Sequence, residues 1–292
     1  MIALEQLRYV RIATKDLAGA ADFAQRILGL EPVRRDENSA AFRSDQRGHT
    51  LVFANGGEAV NSVGFEVRYQ AALDEALQVA SAAGAPGGRG TERECAARDC
   101  KAMVWFEDHS GNRIELVVRP LNSGWRYFPS RDAGVKGLSG VLLRTKDSDG
   151  DEALWTGRFG ARVSDWAGDA VYLAIDDTHH RLALFPSRTG GILGVEFAVE
   201  DVNLLMRNWY HLQHSQIPVV HGPGRRPASE QLFVTFKGPE DVLFSFVAEG
   251  ATSSKDRRPR QFPAGAAGLC SWGSENKVPE FGGGIGKSDQ RP

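Results

Sequence analysis

The stretch LRYVRIATKD at residues 7–16 returns as LSGVLLRTKD at residues 138–147. Two further segments repeat with nearly the same spacing, between 129 and 132 residues. VGFEV at 63–67 answers to VEFAV at 195–199, and the segment around 111–116 answers to 240–246. Because three separate matches share nearly one spacing, the chain consists of a duplicated module followed by a unique C-terminal segment.

The amino-acid composition is typical of a soluble protein. The 292 residues are 25% charged and 41% hydrophobic, with a formal net charge of −2. This charge predicts no nucleic-acid partner and no membrane-surface partner. No apolar run approaches the roughly 20 residues that span a bilayer. The start lacks the features of a signal peptide, and three cysteines without metal-type spacing indicate a reducing compartment. We therefore expect a cytoplasmic protein, and we expect it to be a homo-oligomer.

Each copy has the pattern of two βαβββ units. Residues 7–13 alternate as a strand, Asp16 is a candidate helix N-cap, and the apolar residues of 17–28 form one helical stripe. The expected fold is α+β, with four motifs forming two curved-sheet modules of eight strands each. The predicted divisions are an N-terminal module at 1–120, a linker at 121–136, a C-terminal module at 137–250, and an arm with a flexible tail at 251–292.

This organisation resembles the vicinal oxygen chelate superfamily, which includes glyoxalases, bleomycin resistance proteins and dioxygenases. The opening strand that ends in Thr-x-Asp, the helix that ends in Leu-Gly-Leu and the stretch DTHHRLAL at 177–184 carry the resemblance. Within the superfamily the chain is similar to the two-module extradiol ring-cleavage dioxygenases, such as those that act on dihydroxybiphenyl or dihydroxycumate. The resemblance implies one active site, in the C-terminal module.

The resemblance also implies Fe(II) or Mn(II) held by two histidines and one glutamate, a facial triad with open positions. The positions that match those ligands are Gly140, Gly194 and Ser245. None of these residues supplies an imidazole or a carboxylate, so the sequence predicts no metal at this site and no other cofactor. The equivalent positions in the first module, as read from the sequence, are Tyr9, Ser62 and Glu115.

Other residues of the expected pocket remain polar or aromatic. His180 matches the family's histidine beside the ligands, which implies a role in proton transfer, while His179 is expected to point away. Tyr172 matches an aromatic wall of the substrate pocket. Arg226 and Lys237 match the positions of a second acid–base histidine and a tyrosine, so the expected pocket gains two cations that suit an anionic ligand.

Strand parity adds three residues to the expected pocket. Glu196 shares the strand face of Gly194, and a buried carboxylate requires a partner such as Arg226 or His180. With a raised pKa, Glu196 would be a candidate general base. Leu142 and Arg144 share the face of Gly140 and are predicted to contact the substrate, and Arg144 is also a candidate counterion of Glu196. The remaining histidines are predicted to lie in turns or on helix surfaces: His49, His109, His211, His214 and His221.

Three functions stay open at this point. The first is an enzyme that acts without a metal on an aromatic or ring-fission-type anion, with His180 and Glu196 as the catalytic residues. The second is a non-catalytic protein that binds or sequesters a small molecule in the same cavity. The third is an Fe(II)-dependent extradiol catechol dioxygenase that uses ligands outside the matched positions.

Overall fold

The computed structural model describes residues 1–55, 60–253, 257–273 and 275–282. The predicted flexible tail after residue 282 lies outside the described residues. The strands of the first module are β1 Leu4–Thr14, β2 Glu31–Arg35, β3 Ser39–Arg43, β4 Leu51–Asn55, β5 Ser62–Val67, β6 Gly87–Arg89, β7 Ala102–Glu107 and β8 Arg113–Val118. Those of the second module and arm are β9 Val135–Thr145, β10 Arg162–Ala167, β11 Ala170–Ala174, β12 Leu182–Pro186, β13 Gly191–Val199, β14 Val219–Arg225, β15 Leu232–Lys237, β16 Leu243–Ala248 and β17 Arg260–Phe262.

Six α-helices accompany the strands in the described part of the chain. They are α1 Leu17–Asp22, which continues as a π-helical turn at Phe23–Ile27, α2 Gln70–Ala82, α3 Glu92–Ala97, α4 Ser148–Gly157, α5 Val202–His214 and α6 Ala266–Leu269. The repeated Thr-x-Asp ends the first strand of each module and caps the helix after it. Asp16 accepts a hydrogen bond from the Gly19 N–H, and Asp147 accepts one from the Gly150 N–H.

Each module is one curved mixed sheet, as predicted. The strand order in the first is β2-β3-β4-β1-β5-β8-β7-β6. In both modules the opening strand lies near the centre, parallel to one neighbour and antiparallel to the other. The second sheet has nine strands, in the order β14-β15-β16-β13-β9-β12-β11-β10-β17. The predicted count of eight was wrong for this module because β17 of the arm adds to its edge, parallel to β10.

The outer faces of the two sheets share one apolar core. Trp155 on α4 of the second module packs against Phe65 on β5 of the first, with ring centroids 5.3 Å apart. Phe159 follows α4 and lies parallel to Phe106 on β7, with ring centroids 5.0 Å apart. Polar contacts cross the same junction, because the Ser110 hydroxyl and the Thr145 hydroxyl both bond the buried Asp151 carboxylate. The two concave faces point away from this core and hold the polar clusters described below.

The C-terminal arm enters the second module. Leu269, Val278 and Phe281 are buried with residues of its concave face, and Phe262 packs beside them. We expected the arm to pack near the junction of the modules through Phe262, Leu269 and Trp272. The location was wrong, and Trp272 is 54% exposed, because its backbone alone bridges to β14.

Two short elements of the first module were not predicted. Strand β6 and helix α3 occupy a stretch that has no long apolar period. The start of α3 is nevertheless visible in the sequence, because Thr91 and Glu94 form a capping box in which each side chain bonds the backbone N–H of the other. No helix among the described residues is long and apolar enough to cross a membrane.

Candidate active site in the C-terminal module

A row of paired residues crosses the concave face of the second sheet. Gly140 on β9 lies opposite Glu196 on β13, and Glu196 lies opposite Ser245 on β16. Ser245 in turn lies opposite Thr235 on β15, with their hydroxyl oxygens 2.8 Å apart. The sequence placed Gly194 in this row, but Gly194 pairs with Leu142 and Leu243, one step further along. The position between Gly140 and Ser245 therefore carries a carboxylate.

Glu196 is fully buried and paired on both sides. The Arg226 guanidinium lies 2.5 Å from its Oε1, and His180 Nε2 lies 3.1 Å from its Oε2. Burial by itself would raise the pKa of Glu196, but the charge of Arg226 and the hydrogen bond from His180 outweigh burial and lower the pKa to about 2. The carboxylate is therefore ionised across the physiological pH range, and it has both of the partners that were expected for a buried carboxylate. The raised pKa on which a role as general base depended was a wrong expectation, because the two partners stabilise the charged form.

His180 belongs to a hydrogen-bonded chain that begins at Asp165 on β10. Asp165 Oδ2 lies 2.8 Å from His179 Nε2, and His179 Nδ1 lies 3.0 Å from His180 Nδ1. His180 Nε2 then reaches Glu196. All four side chains are almost completely buried. The expectation that His179 points away from His180 was wrong, because the residues follow β11 in a turn instead of alternating along a strand.

Counting donors and acceptors orients the two histidine rings. The ionised carboxylates of Asp165 and Glu196 only accept, so the Nε2 atoms of His179 and His180 both donate. Burial and then the charge of His180 lower the pKa of His179 to about 3. A neutral His179 that donates through Nε2 has an acceptor at Nδ1, which faces His180 Nδ1 at 3.0 Å.

Aromatic side chains form the wall of the pocket. The Tyr172 ring meets the His180 ring edge-on at 4.9 Å and the Phe185 ring at 6.1 Å. Burial raises the pKa of Tyr172 to about 12, so its hydroxyl stays protonated. Leu142 is buried on the same face, as parity indicated, and contributes to the apolar cluster that includes Tyr172 and Phe281 of the arm.

Two predicted contacts of the substrate are placed differently. Lys237 is exposed at the end of β15, opposite Leu243, and does not reach the pocket. The residue of β15 that joins the central row is Thr235, because the chain between Arg226 and β15 is longer than the match assumed. Arg144 does lie on the concave side, but its Nε donates to Glu280 of the arm at 2.7 Å instead of pairing with Glu196.

His221 was expected at the surface and is instead buried beside the site. Its ring contacts Phe233 at 4.6 Å and Phe281 at 5.8 Å. Among the described residues, its Nε2 has no hydrogen-bond partner. Burial and the charge of Arg226 lower the pKa of His221 to about 4, so the ring is neutral. His221 lies two residues after Val219 on β14, which is the spacing of side chains that share one face of a strand. This alternation is the signal in the sequence that could have revealed the burial of His221.

The first module has the same row with different chemistry. Tyr9 lies opposite Gly64, and Gly64 lies opposite Glu115. The Tyr9 hydroxyl donates to Glu115 at 2.7 Å, and Arg98 binds both carboxylate oxygens, at 2.9 and 2.6 Å. In each module, therefore, a glutamate in the central row is neutralised by an arginine. The sequence had placed Ser62 where the pairing places Gly64, the same two-residue slip as at Gly194.

The residues of the second module do not fit the Fe(II) or Mn(II) centre that the resemblance implies. A facial triad needs two imidazoles and a carboxylate, whereas the row offers Gly140, Glu196 and Ser245. The one carboxylate is already bound to Arg226, whose positive charge stands against a cation at the same place. Among the residues that the structure describes, no group of three histidine, cysteine or acidic side chains is arranged to hold a metal.

Comparisons with known proteins agree with the fold. Residues 6–116 match the model of the Glyoxalase/Bleomycin resistance protein/Dioxygenase superfamily. An iron-dependent extradiol dioxygenase of Rhodococcus jostii is 24% identical over 228 residues, which cover 68% of this chain and 74% of that protein. A metapyrocatechase of Cupriavidus necator is also 24% identical, over 96% of this chain and 91% of its own. The crystal structure of BphC, a halotolerant catechol dioxygenase, superposes with a TM-score of 0.86 at 20% identity, covering 97% of this chain and 98% of that one.

These findings confirm the resemblance to the vicinal oxygen chelate superfamily, and the fold of both modules is that of the superfamily. Within it, the chain is similar to the extradiol dioxygenase and the metapyrocatechase named above, at 24% identity to each. The relatives' names concern iron-dependent and catechol-cleaving enzymes, whereas the row at Gly140, Glu196 and Ser245 departs from the triad that such chemistry uses. The activity of this chain is therefore argued from its own residues.

Proposed function

We propose that the C-terminal module binds an aromatic or ring-fission-type anion and acts on it by proton transfer, without a metal. The observation that carries the proposal is the ion pair of Glu196 and Arg226 in the central row, which His180 joins through a hydrogen bond to Glu196. A lyase, an isomerase or another enzyme that needs no cofactor would use such a set of groups. The proposal covers the class of chemistry and leaves the substrate at the level of its charge and its ring.

The residues divide into two roles. Arg226 supplies fixed N–H donors where an enolate or phenolate develops negative charge, which is the work that a metal does in a ring-cleavage enzyme. His180 is the acid–base group that exchanges a proton with the substrate, and Asp165 fixes the ring of His179 behind it. Tyr172 and Leu142 form the apolar wall that excludes water and orients a planar ligand.

The test is a screen of catechols, hydroxylated aromatics and ring-fission products, in the presence of a chelator and without oxygen. We expect turnover under both conditions. His180→Ala should lower this turnover by roughly 10²–10⁴, the usual contribution of one acid–base catalyst. Arg226→Ala should mainly weaken binding of the anion.

The conservative variant His180→Gln separates the proton from the hydrogen bond, because glutamine still donates to Glu196 but transfers no proton. A similar loss in His180→Gln and His180→Ala supports proton transfer. Turnover that requires added Fe(II) and oxygen would contradict the proposal and restore the dioxygenase. Unchanged turnover in His180→Ala would remove His180 from the mechanism.

One observation favours a non-catalytic binding protein as the second candidate. Both ring nitrogens of His180 are engaged, by His179 and by Glu196, so neither is free to contact a ligand without rearrangement. A protein that sequesters an aromatic anion needs the fixed charge and the wall but no mobile proton. Stoichiometric binding of an anion with no chemical change in it, at any pH between about 5 and 9, would identify this function.

A further inference from the structure

The pocket of the second module is occupied by two consecutive residues of the arm, Glu280 and Phe281. They lie in a single 3-10 turn, Pro279–Gly282. The Phe281 ring is 4% exposed and lies between two walls, with its centroid 5.0 Å from Phe185 and 5.8 Å from His221. The ring thus fills the apolar part of the concave face, where a planar ligand would otherwise lie.

The neighbouring carboxylate has its own receptor. Glu280 Oε1 accepts a hydrogen bond from Arg144 Nε at 2.7 Å, and both side chains are mostly buried. Arg144 is held in place because its NH1 also donates to the Ile192 carbonyl at 2.9 Å. An arginine fixed in this way presents its remaining N–H groups to a carboxylate with little loss of side-chain entropy.

Glu280 and Phe281 together offer a phenyl ring and a carboxylate on a short aliphatic link. This is the chemistry of a small aromatic carboxylate, with the ring in a slot lined by Phe185 and His221 and the anion on Arg144. Side chains of the enclosing strands make these contacts, so the slot belongs to the sheet, and the arm supplies only its contents.

The turn that carries these two residues is weakly held by its own backbone. A four-residue helical turn has little intrinsic stability in water. The Phe281 N–H bonds the Val278 carbonyl, and the backbone of Val278 bonds the Asn276 side chain in both directions. These hydrogen bonds are local to the turn, and the Lys277 N–H bonds the Val220 carbonyl of the sheet. The other contacts that hold the turn in the sheet are the Phe281 ring, the buried Val278 side chain and the Glu280 carboxylate. A free ligand with a ring and a carboxylate competes for the contacts of Phe281 and Glu280.

We propose that Glu280 and Phe281 are an internal occupant of an aromatic-carboxylate site, and that a small aryl carboxylate displaces them to enter it. The inference rests on the proposed function, since it names the class of anion and the contact that closes the site to other ligands. Arg144 is then the residue that selects a carboxylate. The cost of releasing the turn lowers the apparent affinity by the fraction of molecules in which the site is open.

The probe for the test is 3-phenylpropionate, measured by titration calorimetry. We expect Glu280→Gln/Phe281→Ala to bind it at least tenfold more tightly than the unaltered chain. Adding Arg144→Gln to this double variant should remove most of the gain. The neutral analogue 3-phenylpropanol is the matched ligand, and it should bind equally to the double variant and to the triple variant that also carries Arg144→Gln. Equal affinity of the unaltered chain and the double variant for 3-phenylpropionate, or no effect of Arg144→Gln, overturns the inference.

A second measurement serves if the double variant does not fold. Hydrogen exchange of residues 275–282 in the unaltered chain should increase when 3-phenylpropionate is added, whereas ligand binding elsewhere leaves it unchanged or slows it. Unchanged exchange at saturating probe overturns the inference as well. The outcome is separate from that of the proposed function: His180→Ala keeps the binding and the exchange effect even where turnover is lost, and a chain without any turnover still shows both.

Discussion

The Glu196 carboxylate is surrounded by groups that depend on its charge. Burying a carboxylate costs several kcal/mol, and here the cost is offset by Arg226 and His180. The Glu196 carboxylate also leaves little room for a side chain at position 140, because a Cβ at Gly140 would lie 3.1 Å from Glu196 Oε2. Gly140 leaves the space that the Glu196 carboxylate occupies between Gly140 and Ser245. An internal ion pair thus takes the space of the metal centre that the resemblance implies.

Glu196→Gln is expected to destabilise the protein by about 3–5 kcal/mol, since it leaves the buried Arg226 guanidinium without its counterion. Ser245→Ala is the matched control in the same row. It loses one hydroxyl contact with Thr235 and should cost about 1 kcal/mol. Urea unfolding at neutral pH measures both. Adding Arg226→Met to Glu196→Gln should recover most of the loss. A cost below that of Ser245→Ala would show that the ion pair does not support the fold.

For single residues, the sequence predicted which face of the sheet a side chain lies on better than it predicted the side chain's register along the strand. Parity placed Glu196 beside Arg226 and His180 because alternation in a strand is a strict geometric rule. His221 was assigned to a turn or a helix surface, although it lies within β14. Lys237 was placed by the match to the family's tyrosine, and that match failed because the spacing before β15 differs. The slip of two residues at Gly194 has the same origin. A shift by two preserves the face of every side chain, so parity cannot detect it.

Strand β17 shows how a short element reaches the site from outside the repeat. It pairs with β10 at Asp165, and the Arg260 N–H donates to the Asp165 carboxylate at 2.7 Å. Arg257 binds the same carboxylate through its NH2, also at 2.7 Å. Burial would raise the pKa of Asp165, but the hydrogen bonds from Arg260, Arg257 and His179 lower it to about 2. The arm therefore sets the charge at the start of the chain that leads to Glu196.

Arg257→Gln removes one charged partner of the buried Asp165 carboxylate and should reduce the free energy of unfolding by about 1–3 kcal/mol at neutral pH. The loss is limited because Asp165 keeps Arg260 and His179 as partners. The effect has a defined pH dependence. A carboxylate with a depressed pKa in the folded state contributes stability above its ordinary value of 3.8, and loses it as the pH falls towards about 2. The difference between the two proteins should therefore shrink between about pH 4 and pH 2. A difference that stays constant over this range would show that Arg257 acts through packing alone.

The repeat predicted the modules, but nothing in it predicted the ninth strand, because β17 has no counterpart in the first copy. Helix α3 was missed for a related reason: six residues are too few to show a helical period, and only the capping box at Thr91 and Glu94 marks its start. The elements that the sequence predicted are those that are long enough to show a strand or helix period, or that recur in the repeat. The arm, whose pattern is irregular, required the structure.

Across the whole molecule, both modules hold an ion pair at the centre of their sheets, and in the second module it replaces the metal centre that the resemblance implies. Glu115 pairs with Arg98 in the first and Glu196 with Arg226 in the second, although the glutamates lie on different strands, β8 and β13. Burial would raise the pKa of Glu115, but the hydrogen bonds from Arg98 and Tyr9 outweigh burial and lower it to about 2. Two independent placements of a cation beside a buried carboxylate indicate that each sheet is stabilised by an ion pair in its concave face.

The last prediction follows from this replacement. Protein expressed in iron-supplemented medium and passed through gel filtration should contain iron, manganese and zinc at well below one equivalent. The reason is that a divalent cation would have to displace Arg226 from Glu196 and would gain no imidazole from Gly140 or Ser245. Metal analysis of the purified protein decides the matter, with a dialysis control against Fe(II) under nitrogen. Near-stoichiometric iron that survives gel filtration and is lost in His180→Ala would contradict the prediction, because it would show that His180 leaves Glu196 to bind a metal.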